Sequence, residues 1–131
     1  MPQPICIRSY HVDGYGHVNN ARYLEFLEDA RWALFEQHGL LPLLGDIRLV
    51  VTRVDIRYRR SAVENDILHS ETRITAVRPR QLQLSQRLLL NNSGKSAVEA
   101  DITLMPATTA GVTSLSAELR QQLNLLLEPA S

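Results

Sequence analysis

Residues 10–31 read YHVDGYGHVNNARYLEFLEDAR, and the two halves of this stretch have different local patterns. The first half is polar and turn-forming, with Asp13, His17 and two glycines close together. The second half contains no glycine or proline, and its apolar residues recur at the i, i+3, i+4 and i+7 spacing of a helix. The stretch therefore predicts a polar loop that runs directly into a helix from about Ala21 to His38.

The junction between the loop and the helix suits chemistry at a carbonyl group. The side chain of Asn19 or Asn20 can cap the helix. The first backbone amides of a helix have no partner within it, so they can hold an oxygen on which negative charge develops. Asp13 can supply a nucleophile or a base. Because Asp followed by Gly is also a common turn pair, the residue types alone leave a purely structural role for Asp13 equally open.

Period-two alternation of apolar and polar residues dominates the rest of the chain. It predicts four long strands, the first beginning at Ile47 and the others covering residues 67–77, 82–90 and 96–105. The first of these strands places Val50, Val54 and Tyr58 on one face and charged residues on the other. We therefore expect this strand to be half-buried.

Shorter elements complete the chain. We expect a first strand at residues 4–10, a loose linker at residues 106–112 and a last amphipathic helix capped by Ser114. The resulting order, β-α-β-β-β-β-α, predicts an α+β fold in a single domain spanning residues 1–131. Strands joined by short turns should be antiparallel neighbours, and they should cover the apolar first helix. Because one sheet does not easily bury both flanks of such a helix, we also expect self-association.

Composition excludes several classes of function. The 131 residues include 14 acidic and 14 basic side chains, so the formal net charge is zero and a general nucleic-acid binder is not favoured. Cys6 is the only cysteine, which excludes an intrachain disulfide. The sequence has neither a secretion signal nor an apolar run of about 20 residues, so we expect a soluble cytoplasmic protein without a membrane partner.

Several motifs together resemble one known family. They are DGYGHVNN at residues 13–20, ARY at 21–23, EDAR at 28–31 and IRYRRSA at 56–62. Together they resemble the hotdog-fold thioesterases of the 4-hydroxybenzoyl-CoA thioesterase-like group. Within that group, the wording HVNNARYLEFLEDARW is most similar to bacterial long-chain acyl-CoA thioesterases. The resemblance implies a hotdog fold, in which an antiparallel sheet wraps a long helix, and a homodimer or homotetramer with active sites at the subunit interface.

The resemblance also implies roles for individual residues. The catalytic carboxylate falls on Asp13, and the backbone N–H that polarises the thioester carbonyl falls near Asn20. His17 matches the family pattern and can orient water or Asp13, or hold the loop through its backbone. Tyr15 is a departure, because plant-type acyl-carrier-protein thioesterases have Asn at this position. An Asn–His catalytic pair is therefore not carried over, and Asp13 stays the catalytic candidate.

The expected activity is hydrolysis of medium- to long-chain fatty acyl-CoA to free fatty acid and CoA. Asp13 would attack the thioester directly or act as a base on water. No cofactor is implied. No metal site is expected either, because His11, Asp13 and His17 lack the spacing of a helical H-x-x-x-H site.

Two arginines are candidates for binding the phosphates of CoA. Arg59 and Arg60 end the strand that begins at Ile47, and guanidinium groups pair with phosphates through a planar fork. A solvated strand face explains either arginine equally well. Three alternative functions stay open on the same fold, namely an acyl-carrier-protein thioesterase, a non-hydrolytic acyl-CoA binding protein and a hydratase.

Overall fold

The computed structural model describes residues 3–128, and its elements follow the predicted α+β order. Helix α1 spans Asn20–Gln37 and helix α2 spans Ala117–Leu125. The strands are β1 (Ile5–Cys6), β2 (Arg48–Tyr58), β3 (Ile67–Arg78), β4 (Gln81–Leu90), β5 (Lys95–Thr108) and β6 (Gly111–Val112). Two 3-10 helices, Ser9–His11 and Leu41–Leu44, flank α1. Within this described part, β6 is the one strand that the sequence did not predict.

The strands form one antiparallel sheet in the order β1-β3-β4-β5-β2, with β6 paired to β5. The prediction that sequential long strands are neighbours is correct for β3, β4 and β5. It is wrong for β2, which lies beside β5. The main-chain N–H of Arg59 donates to the Ala97 carbonyl at 2.8 Å. The segment 61–66 does not close a hairpin, because Ala62 instead accepts a hydrogen bond from the Val18 N–H at 2.9 Å.

Contacts along the chain group the residues into two units. The first unit contains the chain up to Leu34 together with Ile56–Thr72 and Gln86–Ala100. Its apolar core consists of Ile7, Val18, Tyr23, Phe26, Leu27, Ala30, Ala62, Leu68, Leu88, Ala97, Val98 and Ala100. Every residue that the sequence proposes for the site belongs to this unit.

The second unit contains Phe35–Asp55, Arg73–Ser85 and the chain from Asp101 onward. Its buried apolar residues are Phe35, Leu40, Leu44, Ile74, Leu82, Leu84, Ile102, Leu104, Leu115, Leu119 and Leu123. Helix α2 packs against the 3-10 helix Leu41–Leu44. The alternation predicted for residues 82–90 and 96–105 is confirmed at most inward positions. The buried ones are Leu82, Leu84, Leu88, Val98, Ala100, Ile102 and Leu104, whereas Leu90 at the end of β4 is only partly buried.

Two local predictions in the second unit are wrong. The segment expected to be a linker is a hairpin, because β5 continues through Pro106 and β6 pairs with it, Ala107 opposite Val112. The cap of α2 is Ser116, whose side chain accepts a hydrogen bond from the Leu119 N–H at 3.1 Å. Ser114 cannot take this place because the next residue, Leu115, is buried and donates its N–H to the Pro79 carbonyl at 2.7 Å.

Strand β2 is exposed on both faces, contrary to the half-buried strand that its alternation predicts. Val50 is 46% exposed, Val54 is 39% exposed and Tyr58 is 44% exposed. The position of the strand explains this, because β2 is an end strand of the sheet. The strand at the other end is β1, which pairs with β3 over only two residues.

Gln86 on β4 is a buried polar residue that joins three elements of the first unit. Its side chain lies on the buried face of β4, and the residue is only 1% exposed. Its Nε2 donates to the Leu27 carbonyl of α1 and to the Thr72 hydroxyl of β3, each at 3.0 Å. Its Oε1 accepts a hydrogen bond from Arg31 Nη1 at 3.1 Å. All the polar atoms of the amide are therefore used, as a buried side chain requires.

Gln86→Met tests this network. The substitution keeps the side-chain length, removes the three hydrogen bonds and leaves Thr72 and Arg31 without these partners. We expect the free energy of unfolding in urea to fall by about 2 kcal/mol or more. Gln83→Met is the matched control on the same strand, since Gln83 makes no side-chain hydrogen bond to a described residue, and it should change stability by less than about 1 kcal/mol. Equal effects of the two substitutions would contradict a structural role for the network.

His11 fixes the start of the loop that precedes α1. Its ring is buried and packs edge-on against Phe26, with the ring centroids 5.2 Å apart. Its Nδ1 accepts a hydrogen bond from the Arg8 N–H at 2.8 Å, and its main-chain carbonyl accepts one from the Asn19 N–H at 3.0 Å. His11 therefore connects Arg8, which precedes the loop, with Asn19, at which the loop ends.

Burial lowers the pKa of His11. Arg22 lowers it further, Glu25 opposes the shift and Arg8 adds to it. The neutral ring suits the geometry, because Nδ1 must be unprotonated to accept the Arg8 N–H.

The pH dependence of stability follows from this shift. Because the pKa is lower in the folded state than in the unfolded chain, where it is about 6.5, the folded state binds fewer protons. The neutral ring should contribute its full stability above about pH 6.5 and lose that contribution as the pH falls through the folded pKa. In His11→Gln the amide oxygen can still accept the Arg8 N–H. The free energy of unfolding in urea should therefore fall less between pH 7.5 and pH 5 than it does in the wild-type protein. Parallel pH profiles would show that His11 is not the group responsible.

Candidate active site

The Asp13 carboxylate forms the turn in which it lies. Its Oδ1 accepts hydrogen bonds from the Tyr15 N–H at 2.8 Å and the His17 N–H at 3.3 Å. The main chain closes the same turn, since the Asp13 N–H donates to the His17 carbonyl at 2.8 Å. Gly16 takes a φ of 78°, a conformation that a side chain disfavours. Oδ2 accepts no hydrogen bond from the described residues, so one exposed oxygen of Asp13 is available for chemistry.

The loop is fixed to the segment that follows β2. Val12 pairs with Val18 across the loop, and His17 pairs with Val63. The imidazole of His17 is exposed and makes no hydrogen bond to any residue of the described chain. Both main-chain polar groups of His17 bond to Asp13, so in this structure His17 holds the loop through its backbone.

The N-terminus of α1 has a capping side chain and an uncapped amide. The Oδ1 of Asn19 accepts a hydrogen bond from the Ala21 N–H at 2.9 Å, which identifies Asn19 as the cap. Asn20 is the first helical residue. Its N–H finds no acceptor among residues 3–128. An unsatisfied amide at this position can donate to a bound carbonyl oxygen.

Asn20 lies at the wall of a small cavity. The cavity has a volume of about 80 Å³, and its walls are formed by Asn20, Tyr23, Tyr58, Arg59, Arg60 and Ser61. The structure therefore brings Asn20 together with both predicted CoA-binding arginines. Asp13 and His17 do not line this cavity. They lie in the loop that precedes α1.

Tyr23, an apolar-face residue of α1 that also belongs to the ARY motif at residues 21–23, lines the cavity as well. Its hydroxyl oxygen accepts a hydrogen bond from the Ala62 N–H at 3.0 Å. Its ring lies 5.8 Å from that of Tyr58, centroid to centroid. Burial raises the pKa of Tyr23, so the group stays protonated at neutral pH. Because its oxygen is an acceptor here, its proton can still be donated to a ligand. A hydroxyl in an otherwise apolar stripe is the signal that was available in the sequence.

The two arginines are held by residues of β5 that the sequence analysis did not single out. Arg59 Nε donates to Glu99 Oε1 at 3.0 Å, and Arg60 Nη1 donates to the Ser96 carbonyl at 3.0 Å. The Ser96 hydroxyl donates to Glu99 Oε2 at 3.2 Å. The hydrogen bond from Arg59, followed by that from Ser96, lowers the pKa of Glu99. No local pattern links these residues, because Arg59 and Glu99 are 40 positions apart in the chain.

Within residues 3–128, no three His, Cys, Asp or Glu side chains come together in a way that would hold a metal ion. Neither α1 nor α2 is long and apolar enough to cross a bilayer.

Comparison with known proteins identifies the family. The Thioesterase-like superfamily matches residues 7–123. The chain is 36% identical over 132 residues to the long-chain acyl-CoA thioesterase FadM of Escherichia coli (strain K12), covering 98% of this chain and 100% of FadM. The crystal structure of YbaW, a probable thioesterase from Escherichia coli, superimposes with a TM-score of 0.83 at 35% identity, covering 96% of this chain and 98% of YbaW.

A third comparison is with a thioesterase from Thermus thermophilus that was solved in complex with coenzyme A and zinc. It is 25% identical and superimposes with a TM-score of 0.81, covering 95% of this chain and 92% of that chain. Because the family model covers residues 7–123 and FadM is 36% identical over nearly the whole chain, the chain belongs to the thioesterase-like superfamily and has its hotdog fold.

Proposed function

We propose that this thioesterase hydrolyses medium- to long-chain fatty acyl-CoA to free fatty acid and CoA. Membership of the superfamily and the match to a long-chain acyl-CoA thioesterase over nearly the whole chain support the activity. The observation that carries the proposal is the Asn20 amide, which has no described partner and borders the cavity that Arg59 and Arg60 also line. The proposed donor for the thioester carbonyl and the two arginines proposed for the CoA phosphates thus border the same cavity.

The proposed chemistry uses Asp13, the Asn20 amide and water. In one route, Asp13 adds to the thioester carbon, the C–S bond breaks and CoA leaves as a thiolate that takes a proton from solvent. Water then cleaves the mixed anhydride and restores the carboxylate. In the other route, Asp13 takes a proton from water, which attacks the same carbon, and the proton passes to the thiolate. In both, the Asn20 amide holds the oxygen that gains charge, a contact worth about 3 kcal/mol in comparable sites.

The proposed CoA site uses the two arginines. Arg59 donates only its Nε within the described chain, so Nη1 and Nη2 can form a bidentate contact with a phosphate. Arg60 likewise keeps Nε and Nη2 free, because only its Nη1 is bound to Ser96. The neutral net charge of the chain gives no reason to prefer an acidic carrier protein over free CoA as the thiol component.

We also propose that residues 1–131 act as one thioesterase domain in a cytoplasmic homodimer or homotetramer, with a role in fatty-acid metabolism. The open edge at β2 supports the self-association. An edge strand of 11 residues with exposed valines presents unpaired backbone groups and apolar surface together. Pairing with β2 of a second copy would satisfy the backbone and cover Val50 and Val54. The proposed active sites lie at the interface between subunits.

Asp13→Asn tests the catalytic proposal. The amide oxygen of Asn can still accept the Tyr15 and His17 N–H groups, so the turn should survive while the nucleophile or base is lost. We expect kcat to fall by about 100-fold or more. The measurement is thiol release from acyl-CoAs ranging from acetyl to palmitoyl and including an aromatic acyl group. The acyl chain length that is hydrolysed most efficiently identifies the substrate class.

The control for this test is Asp29→Asn, at an exposed position on α1. It should keep wild-type turnover. If Asp13→Asn retained activity within about tenfold of the wild type, Asp13 would be a turn residue only. If the wild-type protein bound acyl-CoA but released no thiol, the proposal would give way to a non-hydrolytic binding protein.

Val50→Lys combined with Val54→Lys tests the edge of β2. Two charges on this strand should prevent edge-to-edge pairing, so the variant should sediment as a monomer and lose most of its activity. The measurement is sedimentation velocity together with thiol release. Val112→Lys, at an exposed valine of β6, is the matched control and should keep the wild-type oligomer. A wild-type protein that is a stable, active monomer would rule out shared active sites.

A further inference from the structure

Two arginines at the wall of the cavity, Arg59 and Arg60, are linked by hydrogen bonds through Glu99 and Ser96 of β5. Arg59 Nε donates to one oxygen of Glu99, and the Ser96 hydroxyl donates to the other, at 3.0 and 3.2 Å. The Ser96 carbonyl then accepts a hydrogen bond from Arg60 Nη1 at 3.0 Å. The carboxylate of Glu99 therefore pairs directly with Arg59 and is connected to Arg60 only through Ser96.

The carboxylate of Glu99 is charged at neutral pH. Its pKa is lowered by the hydrogen bonds from Arg59 and Ser96, and the charges of Arg59 and Arg57 act in the same direction. The ion pair is open to solvent, since the side chain of Arg59 is 47% exposed and that of Glu99 is 31% exposed. Exposed ion pairs contribute little to stability, so a more strongly bound anion can replace the carboxylate.

We propose that Glu99 is an internal anion that competes with the phosphates of coenzyme A for Arg59 and so sets the affinity of the site for the nucleotide end of the substrate. This inference rests on the proposed function, because it takes Arg59 as a phosphate-binding residue. Glu99 does not line the cavity. Its role is to set binding rather than to take part in the chemistry.

The direction of the effect follows from the charges. A phosphate that uses the Nε edge of Arg59 must displace Glu99. A phosphate that uses Nη1 and Nη2 stays on the same guanidinium as Glu99, where two anions repel each other. In both arrangements the carboxylate weakens phosphate binding. Ser96 strengthens the competition, because its hydroxyl holds Glu99 in place.

Glu99→Gln isolates the charge from the geometry. Its amide oxygen can still accept the Arg59 Nε–H, so Arg59 keeps its position while the competing charge is removed. We expect free coenzyme A to bind about two- to fivefold more tightly by isothermal titration calorimetry at low salt. The gain should shrink as salt is raised, since exposed charges are screened. Binding of pantetheine, which carries no phosphate, should not change.

Two further variants complete the test. Glu71→Gln removes a carboxylate from a comparable ion pair, in which Glu71 Oε1 accepts a hydrogen bond from Arg87 Nε at 3.0 Å. Neither residue of this pair lines the cavity. It should bind coenzyme A as the wild type does. Arg59→Ala should weaken binding of coenzyme A and leave binding of pantetheine unchanged. Thermal unfolding of each variant checks that the fold is kept.

The outcomes separate this inference from the proposed function. Unchanged or weaker binding of coenzyme A by Glu99→Gln overturns the inference, even if Arg59→Ala confirms a phosphate contact. Unchanged binding by Arg59→Ala also overturns it, because Arg59 would then hold no phosphate. Thiol release is measured separately. A wild-type protein that binds coenzyme A without hydrolysing thioesters would refute the proposed function, while the binding comparison would still decide the role of Glu99.

Discussion

The backbone of Ala62 is the constraint on which the site depends. Its carbonyl accepts a hydrogen bond from the Val18 N–H, and its own N–H donates to the Tyr23 hydroxyl. The residue is fully buried, so neither group has water as an alternative partner. These two bonds attach the segment after β2 to both the loop and the first turns of α1. The cavity exists because residues 59–61 and Asn20 are brought together by this attachment.

Several groups of the proposed site use some of their polar atoms in structural hydrogen bonds and leave others without a described partner. Asp13 uses Oδ1 to close its turn and leaves Oδ2 open. Asn19 satisfies the Ala21 amide as the cap, and the Asn20 amide stays without a described acceptor. Arg59 is oriented through Nε while its outer nitrogens make no hydrogen bond to the described residues. Each group is thus positioned by one atom and available through another, which limits the reorganisation needed when a ligand binds.

The sequence predicted the elements whose signals are local. Helix α1 was predicted to within a residue at each end, because the 3.6-residue period and the Asn cap are signals of the helix's own residues and of the residue next to it. The place of β2 was not predictable in this way, since alternation shows which residues share a face and not which strand lies alongside. The motif proposed Asp13, His17 and Asn20 for the site. It could not reveal Glu99, which reaches Arg59 only through the pairing of β2 with β5.

The apolar content of β2 argues against the single chain as the final state of the molecule. Val50, Val51 and Val54 are each more than a third exposed on a long strand at the end of the sheet. Natural edge strands are usually short, charged, bulged or covered, because an open apolar edge pairs with whatever strand it meets. The opposite edge of the sheet follows this rule. There β1 pairs with the start of β3, and Leu127 forms an isolated bridge with Ile74 of the same strand. Because β2 has no such cover within the described chain, its exposed valines support the proposed pairing with a second copy.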